Sequence, residues 1–236
     1  SDIVKISLYP SLRFDHYDTN TESWSPKIGA NIFLNFQETA INLHSTFGRN
    51  FRVPTFNEYF YAGAGGIGNP LLQPETSRSF DAGFTLRRDF FGEFTFDWTY
   101  YSISTENRIA WLPAQQAYVS TPKNIGKTLS SGFETEIRWS TFSDRLTISA
   151  NYSYIDARKK NRESVNDPAY DKQLSYIPLE TGNIGLTLRI PIEYEHVTSF
   201  TFWLNDNYTG ERFIVEGSNA LLPSYHLVEG NVALGF

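Results

Sequence analysis

Four histidines are the side chains of this sequence best suited to acid–base chemistry or metal binding, namely His16, His44, His196 and His226. His16 lies near Asp15 and Asp18, which can polarise an imidazole, but no two histidines have the helical spacing of metal ligands. A second acidic pair and a G-x-S-x-G nucleophile motif are both missing from the sequence. We therefore expect no catalytic residue, no metal and no cofactor, with a protease built around His16 as an alternative.

The glycine-rich stretch Gly63-x-Gly65-x-x-Gly68 has the spacing of a dinucleotide-binding fingerprint. That fingerprint needs a strand before it and a helix after it, because the helix N-terminus holds the pyrophosphate. Here Asn69-Pro70 follows at once, and this dipeptide is typical of a turn. We therefore interpret the glycines as part of a loop.

Two other groups of side chains are suited to binding rather than to catalysis. Arg158, Lys159, Lys160 and Arg162 form a basic cluster that can capture an anionic ligand, contact lipid phosphates or simply be solvated. Aromatic side chains in long connections offer a large contact area at low entropic cost, although they can equally pack loop against loop. The expected ligand-binding residues are Tyr59, Tyr61, Trp111, Tyr118, Arg158 and Tyr170.

Composition limits the classes of protein that can carry these residues. A net charge of −6 argues against a nucleic-acid partner, because phosphate binding needs a basic surface. The absence of cysteine excludes disulfides and thiolate metal sites. No run of about 18 apolar residues indicates a transmembrane helix. The first residue is not methionine and no signal peptide follows, so we expect a processed product or a piece of a longer chain.

Alternation of apolar and polar residues is the dominant pattern. In the last segment Val228, Val232, Leu234 and Phe236 share one face of a strand, and polar residues occupy the other. Nine further segments alternate similarly, with apolar faces that begin at Ile6, Ile28, Ile41, Phe80, Phe94, Leu129, Leu146, Ile184 and Phe200. About ten strands of about ten residues are predicted, with an apolar face toward lipid and a face rich in Thr, Ser and Asn toward a wet lumen. A soluble β-sandwich is the alternative.

The predicted connections also alternate between short and long. Short connections are expected at 37–39, 89–92, 140–144 and 191–195, and long ones at 16–23, 50–75, 104–124, 157–173 and 210–222. Outer-membrane barrels have short periplasmic turns and long extracellular loops. Their closing strand also ends in an aromatic residue, which Phe236 resembles. We therefore expect an antiparallel transmembrane β-barrel with every short connection, and Phe236, on the periplasmic side.

The longest predicted loop carries a more specific signature. The strings Phe51-Arg52-Val53-Pro54-Thr55-Phe56-Asn57-Glu58-Tyr59 and Gly68-Asn69-Pro70-Leu71-Leu72-Gln73-Pro74-Glu75-Thr76-Ser77 resemble motifs of TonB-dependent outer-membrane receptors. Shorter matches follow in the family's order, including Asn124-Ile125-Gly126 and Gly132-Phe133-Glu134-Thr135-Glu136. The resemblance implies a barrel of about 22 strands that is plugged by an N-terminal domain. Residues 1–236 would then form one segment, the C-terminal strands of the barrel without the plug, although a complete small barrel remains an alternative.

The resemblance also implies architectural roles for part of this loop and for the last residue. These residues are Arg52, Pro54, Glu58, Asn69, Pro70, Pro74, Glu75 and Phe236. Proline fixes φ and lacks an N–H donor, so the loop is not expected to extend the sheet. Arg52 and Glu58 carry opposite charges, and we expect them to pair and brace the loop at the rim of the barrel.

The function implied by the resemblance is active uptake of a scarce ligand, such as a ferric siderophore, across the bacterial outer membrane. The implied partners are the remaining strands and plug of the receptor, the TonB–ExbB–ExbD complex, outer-membrane lipid or lipopolysaccharide, and a metal chelate or vitamin. No enzymatic activity is expected. Cobalamin uptake, a small passive pore or adhesin, and a protease at the barrel rim remain as alternatives.

Overall fold

In a computed structural model, residues 3–17, 21–63, 65–113, 119–162, 164–194 and 196–236 are described. Their elements are β1 (Ile3–Tyr17), β2 (Thr21–Phe36), β3 (Thr39–Arg52), α1 (Phe56–Phe60), β4 (Ala62–Gly63), β5 (Gly66–Ile67), β6 (Glu75–Asp89), β7 (Glu93–Glu106), β8 (Ile109–Pro113), β9 (Ser120–Asn124), β10 (Thr128–Thr141), β11 (Leu146–Lys159), β12 (Glu180–Tyr194), β13 (Val197–Thr209), β14 (Arg212–Phe213), β15 (Leu221–Leu222) and β16 (Tyr225–Gly235). Within these ranges, no helix is both long and apolar enough to cross a bilayer.

Ten strands form one antiparallel sheet in the order β1-β2-β3-β6-β7-β10-β11-β12-β13-β16. Each interior strand pairs with the long strand before it and the one after it, so the chain runs up and down across the sheet. Strands β1 and β16 form its two edges and do not pair with each other in the described part of the chain. The prediction of about ten antiparallel strands is confirmed, and they form an open sheet, which is part of a barrel wall rather than a closed small barrel.

The register aligns the predicted apolar residues on one face. Leu43 lies opposite Ile32 on one side and Phe84 on the other, and Phe84 in turn lies opposite Trp98. Side chains on this face are widely exposed, for example Ile28 and Phe47 at 51% and 54%. The buried apolar residues among those described are Leu72, Ile109, Ile125, Ala157 and Leu174, which lie in the long connections or at a strand end beside them. A sandwich would bury its apolar face against a second sheet, so the sandwich alternative is wrong.

The opposite face is polar and internally hydrogen-bonded. The imidazole Nε2 of His44 lies 3.2 Å from Thr99 Oγ1, across two strand boundaries. The Asn183 amide donates to Asn205 Oδ1 at 2.7 Å and to Asn207 Oδ1 at 2.8 Å. Such a face suits a watery interior, because its polar groups satisfy one another and leave the rest to solvent.

The structure corrects the predicted connections in two places. The loop predicted over 16–23 is mostly strand, because β1 and β2 stay in register as far as the pair Tyr17 and Thr21. The turn predicted over 191–195 is shorter, since β12 continues to Tyr194 through a register irregularity. The ten long strands contain 11 to 16 residues rather than about ten. Their extra length lies beyond the apolar positions, where polar residues give no hydrophobic alternation to detect.

Candidate functional site

The connection between β3 and β6 is organised by one short helix. Helix α1 begins with a capping box, in which Thr55 Oγ1 accepts from the Glu58 amide at 3.2 Å. In return, Glu58 Oε2 accepts from the Thr55 amide at 2.7 Å. These two bonds satisfy amides at the helix start that have no partner within the helix. The helix therefore forms at a fixed place on the loop and holds the Glu58 carboxylate toward the end of β3.

Arg52, the last residue of β3, lies between two carboxylates. Its guanidinium donates to both oxygens of Glu75, at 3.0 and 2.7 Å, and to Glu58 Oε2 at 2.9 Å. Glu58 and Glu75 are largely shielded, with side-chain exposures of 12% and 17%. The expected pair of Arg52 with Glu58 is present, and Glu75 completes a brace of charge-assisted bonds across the base of the loop.

The brace changes the acidity of Glu58. Burial by itself favours the neutral carboxyl, but hydrogen bonds from Arg52 and from the Thr55 backbone outweigh it. The pKa of the Glu58 carboxyl is therefore lowered from its ordinary value of 4.5. The carboxylate stays ionised through the neutral range and well below it.

A second connection, between β7 and β10, is fastened to the first. Glu75 Oε1 also accepts from the Ile109 amide at 2.6 Å. Asn124 exchanges two bonds with the backbone of Gln73, each of 2.9 Å, and donates to Asn107 O at 2.7 Å. The Asn69 amide donates to Pro122 O at 3.0 Å. The two loops therefore form one unit above the sheet.

A pocket of about 450 Å³ opens where these two loops meet. The ring of Tyr61 meets the edge of Trp111 at a centroid distance of 6.0 Å, and both side chains remain about 40% exposed. The rest of this rim pocket is lined by Thr55, Asn57, Glu58, Gly65 and Gly66. An aromatic wall beside a few polar groups, in a volume of this size, is typical of small-molecule sites.

The other predicted ligand-binding aromatics are placed differently. The Tyr59 hydroxyl lies 3.5 Å from Leu72 O, and its ring packs on Phe60. Tyr170 is covered by the Arg162 guanidinium, 4.2 Å from the ring centre. Both are engaged in loop packing, whereas Tyr118 lies outside the described residues.

Three of the four residues in the predicted basic cluster are paired with nearby acids, and the fourth, Arg162, lies over the Tyr170 ring. Arg158 donates to Asp156 Oδ1 at 2.6 Å, and Lys159 lies 3.1 Å from Asp167 in a buried pair. Lys160 bonds to Asp171, and this bond lowers the pKa of the Asp171 carboxyl. Arg158 is 41% exposed and already shared with its own acid, so the cluster does not form a free cationic surface.

The histidines are not grouped into a catalytic or metal site. His16 contacts Glu22 at 3.2 Å, whereas Asp15 is held by Arg13 at 2.7 Å. His226 contacts Asp206 at 2.9 Å on another part of the sheet. Across the described ranges, no three His, Asp or Glu side chains are arranged to hold a metal ion. The glycine stretch contributes to the small strands β4 and β5, and no helix follows it, as the loop interpretation predicted.

Sequence reasoning missed three features of the rim. The capping box was detectable, because Thr55 and Glu58 have its characteristic spacing. The bonds from Asn124 to Gln73 and from the Ile109 amide to Glu75 join residues more than 30 positions apart, and no local pattern indicates them. The remaining motif residues lie in the same loop, with Pro54 buried and Pro70 exposed, while Phe236 is 83% exposed just beyond β16.

Solved structures with this fold include a siderophore receptor and a ferric enterobactin receptor. The siderophore receptor PirA from Pseudomonas aeruginosa superposes with a TM-score of 0.65 at 19% identity, over 98% of this chain and 37% of that one. The ferric enterobactin receptor PfeA from the same organism, a G324V mutant, gives a TM-score of 0.63 at 20% identity, over 94% and 34%. These likenesses show the fold of the ten-stranded sheet.

Sequence comparison adds two curated relatives. The vitamin B12 transporter BtuB of Vibrio vulnificus is 32% identical over 117 residues, which are 50% of this chain and 18% of that protein. The heme/hemopexin utilization protein C of Haemophilus influenzae is 26% identical over 186 residues, 66% of this chain and 26% of that protein. The chain thus spans about a quarter or less of the relatives' length.

The family described as TonB dependent receptor-like, beta-barrel matches residues 2–236, nearly the whole chain. Its members are receptors and transporters rather than enzymes, and the family and fold together indicate the bacterial outer membrane. The match agrees with the motif around Arg52 and with the apolar and polar faces of the sheet. This chain belongs to the TonB-dependent receptor family.

Proposed function

We propose that residues 1–236 form the C-terminal part of the barrel wall of a TonB-dependent receptor that imports a scarce ligand, such as a ferric siderophore. A plug domain and the remaining strands would close the barrel, and the TonB–ExbB–ExbD complex would energise transport. The observation that carries the proposal is the ten-stranded sheet, with an exposed apolar face opposite a hydrogen-bonded polar face. Lipid contacts one such face and a wet interior lies along the other.

The rim pocket is our proposed contribution of this segment to ligand binding. Tyr61 and Trp111 project aromatic surface into a recess that Thr55 and Asn57 line with polar groups. The brace at Arg52 and the bonds of Asn124 hold the two loops together before any ligand arrives. Such preorganisation lowers the entropic cost of binding. Plug and loop residues outside this segment would complete the site.

Cobalamin is the second candidate ligand, because the vitamin B12 transporter has the higher identity to this chain of the two curated relatives described above.

The identity of the ligand is tested by uptake in cells that carry the intact receptor or a deletion of it. Separate arms supply iron-55 siderophores of catecholate and hydroxamate type, haem, and cobalt-57 cobalamin. Receptor-dependent uptake that disappears when TonB is deleted supports active transport. Uptake that persists without TonB, together with open conductance in planar bilayers, would instead indicate a passive pore.

The rim pocket is tested with Tyr61→Ala and Trp111→Ala in the intact receptor. Leu71→Ala is the matched control, because Leu71 lies on the same loop, is 87% exposed and does not line the pocket. We expect each pocket variant to weaken binding of the transported ligand about tenfold, with receptor abundance unchanged. Equal affinities for the pocket variants and the control would remove the rim pocket from the proposal.

A further inference from the structure

Two arginines face each other near the outer end of the sheet. Arg49 of β3 and Arg78 of β6 are directly opposite in the register, and both are exposed. Neither forms an ion pair with any described residue, unlike Arg52 three positions further along β3. Like charges in directly opposite positions of antiparallel strands repel. The pair therefore lacks the counter-charge that the structure provides for Arg52.

Both arginines lie on the apolar face. Side chains two positions apart in a strand share a face, and two positions away in the register Phe47 lies opposite Phe80. These two rings are 54% and 40% exposed and belong to the belt of apolar residues that the sheet presents outward. Arg49 and Arg78 thus lie at the border of that belt, on the side of the long connections.

Two adjoining depressions share the arginine pair. One, of about 320 Å³, is apolar and includes Pro10, Leu12, Pro26, Ile28 and Phe47 with both arginines. The other, of about 330 Å³, is polar and includes Thr76, Ser104, Glu106 and Lys127 with the same two arginines. Three cationic side chains oppose one carboxylate in the polar depression. The surface therefore combines a site for an anionic head group with a groove for hydrocarbon.

We propose that this surface binds a phosphorylated, acylated lipid of the outer leaflet. Arg49, Arg78 and Lys127 would hold the phosphate, and an acyl chain would lie along Leu12, Ile28 and Phe47. Guanidinium groups recognise phosphate through paired, charge-assisted bonds, which offset the repulsion between the two arginines. Because the apolar groove is continuous with the belt, a membrane lipid fits it better than a free anion. The inference rests on the proposed membrane orientation, with the long connections outside.

The test uses the intact receptor in a neutral detergent. Thermal unfolding and native mass spectrometry are recorded with diphosphorylated lipid A, with the same lipid after enzymatic removal of its phosphates, and with inorganic phosphate. We expect retention of lipid and a rise in unfolding temperature only with the phosphorylated lipid. Failure of that lipid to bind the wild-type receptor, or equal binding after dephosphorylation, overturns the proposal without any variant. An equal shift with inorganic phosphate overturns the lipid assignment.

Variants then locate the site. The double variant Arg49→Gln/Arg78→Gln is compared with Arg87→Gln/Arg138→Gln, which removes two exposed arginines from the opposite face. We expect lipid affinity to fall at least about tenfold in the first and to stay unchanged in the second. In lipid-free detergent, the first variant should unfold no earlier than the wild type, since a repulsive pair is gone. Equal lipid binding by both double variants would contradict the assignment. Uptake assays on the same variants report separately on transport.

Discussion

At the scale of single residues, Arg52 determines the geometry of the rim. Its guanidinium is shared by carboxylates from helix α1 and from the start of β6, so one side chain fixes both ends of the loop. Partly exposed ion pairs contribute little, but here two shielded carboxylates lose their partner together if the arginine is removed. The loss should therefore exceed that of an ordinary surface pair.

We expect Arg52→Gln to destabilise the rim loop by about 1–2 kcal/mol, because Glu58 and Glu75 become unpaired neighbours. Hydrogen exchange of the α1 amides in the intact receptor measures this local opening. Arg145→Gln is the control, since Arg145 is exposed in a short turn and its side chain pairs with no described residue. Equal exchange in the two variants would show that the brace has no energetic role.

The lowered pKa of Glu58 makes the brace sensitive to acid. A carboxyl whose folded-state pKa is below its unfolded value stabilises the fold above the unfolded pKa, and this contribution is lost as pH falls through the folded pKa. Protection of the α1 amides, corrected for intrinsic exchange, should therefore be constant above about pH 4.5 and decline below it. Glu58→Gln should flatten this decline. An unchanged decline in that variant would assign the acid sensitivity to another group.

At the scale of elements, alternation was sufficient to predict the strands and their faces but not their ends. The segment from Phe80 to Leu86 has its predicted apolar face, because alternation reports directly which side chains meet lipid. Beyond the belt, both faces are polar, and the continuation of β1 to Tyr17 leaves no such signal. Register beyond that point is fixed by backbone pairing with the neighbouring strand, which a single segment does not reveal.

The rim divides in the same way into local and non-local features. Arg52 and Glu58 are six residues apart, and sequence reasoning could pair them. Tyr61 and Trp111 were each recognised as candidate ligand contacts. The two residues are 50 positions apart, and they meet in one pocket only because their two loops pack together. The sequence did not reveal that Asp171 neutralises the charges of Arg158 and Lys160. Asp171 reaches them because its loop folds back over the end of the strand.

Close backbone approach in the sheet gives a prediction for Gly83. A Cβ at this position would meet Trp98 O, with Thr99 Oγ1 at 2.6 Å and His44 Nε2 at 2.8 Å. Gly83→Ala should destabilise the barrel by about 1–3 kcal/mol through this overpacking and should disrupt the contact between His44 and Thr99. The folded fraction of the intact receptor against temperature, read by heat-modified mobility on gels, measures the effect.

Gly29→Ala is the matched control, because its Cβ would find no atom nearer than 3.7 Å. It should leave the folded fraction almost unchanged. Comparable losses in both variants would point to strand flexibility rather than to close packing at Gly83.

At the scale of the whole molecule, the fold depends on two solvents. The described residues bury few apolar side chains, and the largest apolar surface is the outer face of the sheet. In water such a surface would drive aggregation, whereas acyl chains make it favourable. The polar face is stabilised separately, by bonds such as those of Asn183.

Neighbouring residues on opposite faces should therefore respond differently to a charge. Leu43 lies mid-strand on the apolar face between Ile32 and Phe84, and Asn42 lies on the polar face opposite Thr85. Leu43→Arg should destabilise the receptor in vesicles by about 2–4 kcal/mol, because a guanidinium near the bilayer midplane is poorly solvated. Asn42→Arg should cost much less, since its side chain meets water. The folded fraction in phosphatidylcholine vesicles against denaturant compares them. Leu43 is 39% exposed, so the substitution tests the solvation of the new side chain rather than its packing within the protein. Equal tolerance of both substitutions would mean that water contacts both faces, and the membrane orientation argued above would fail.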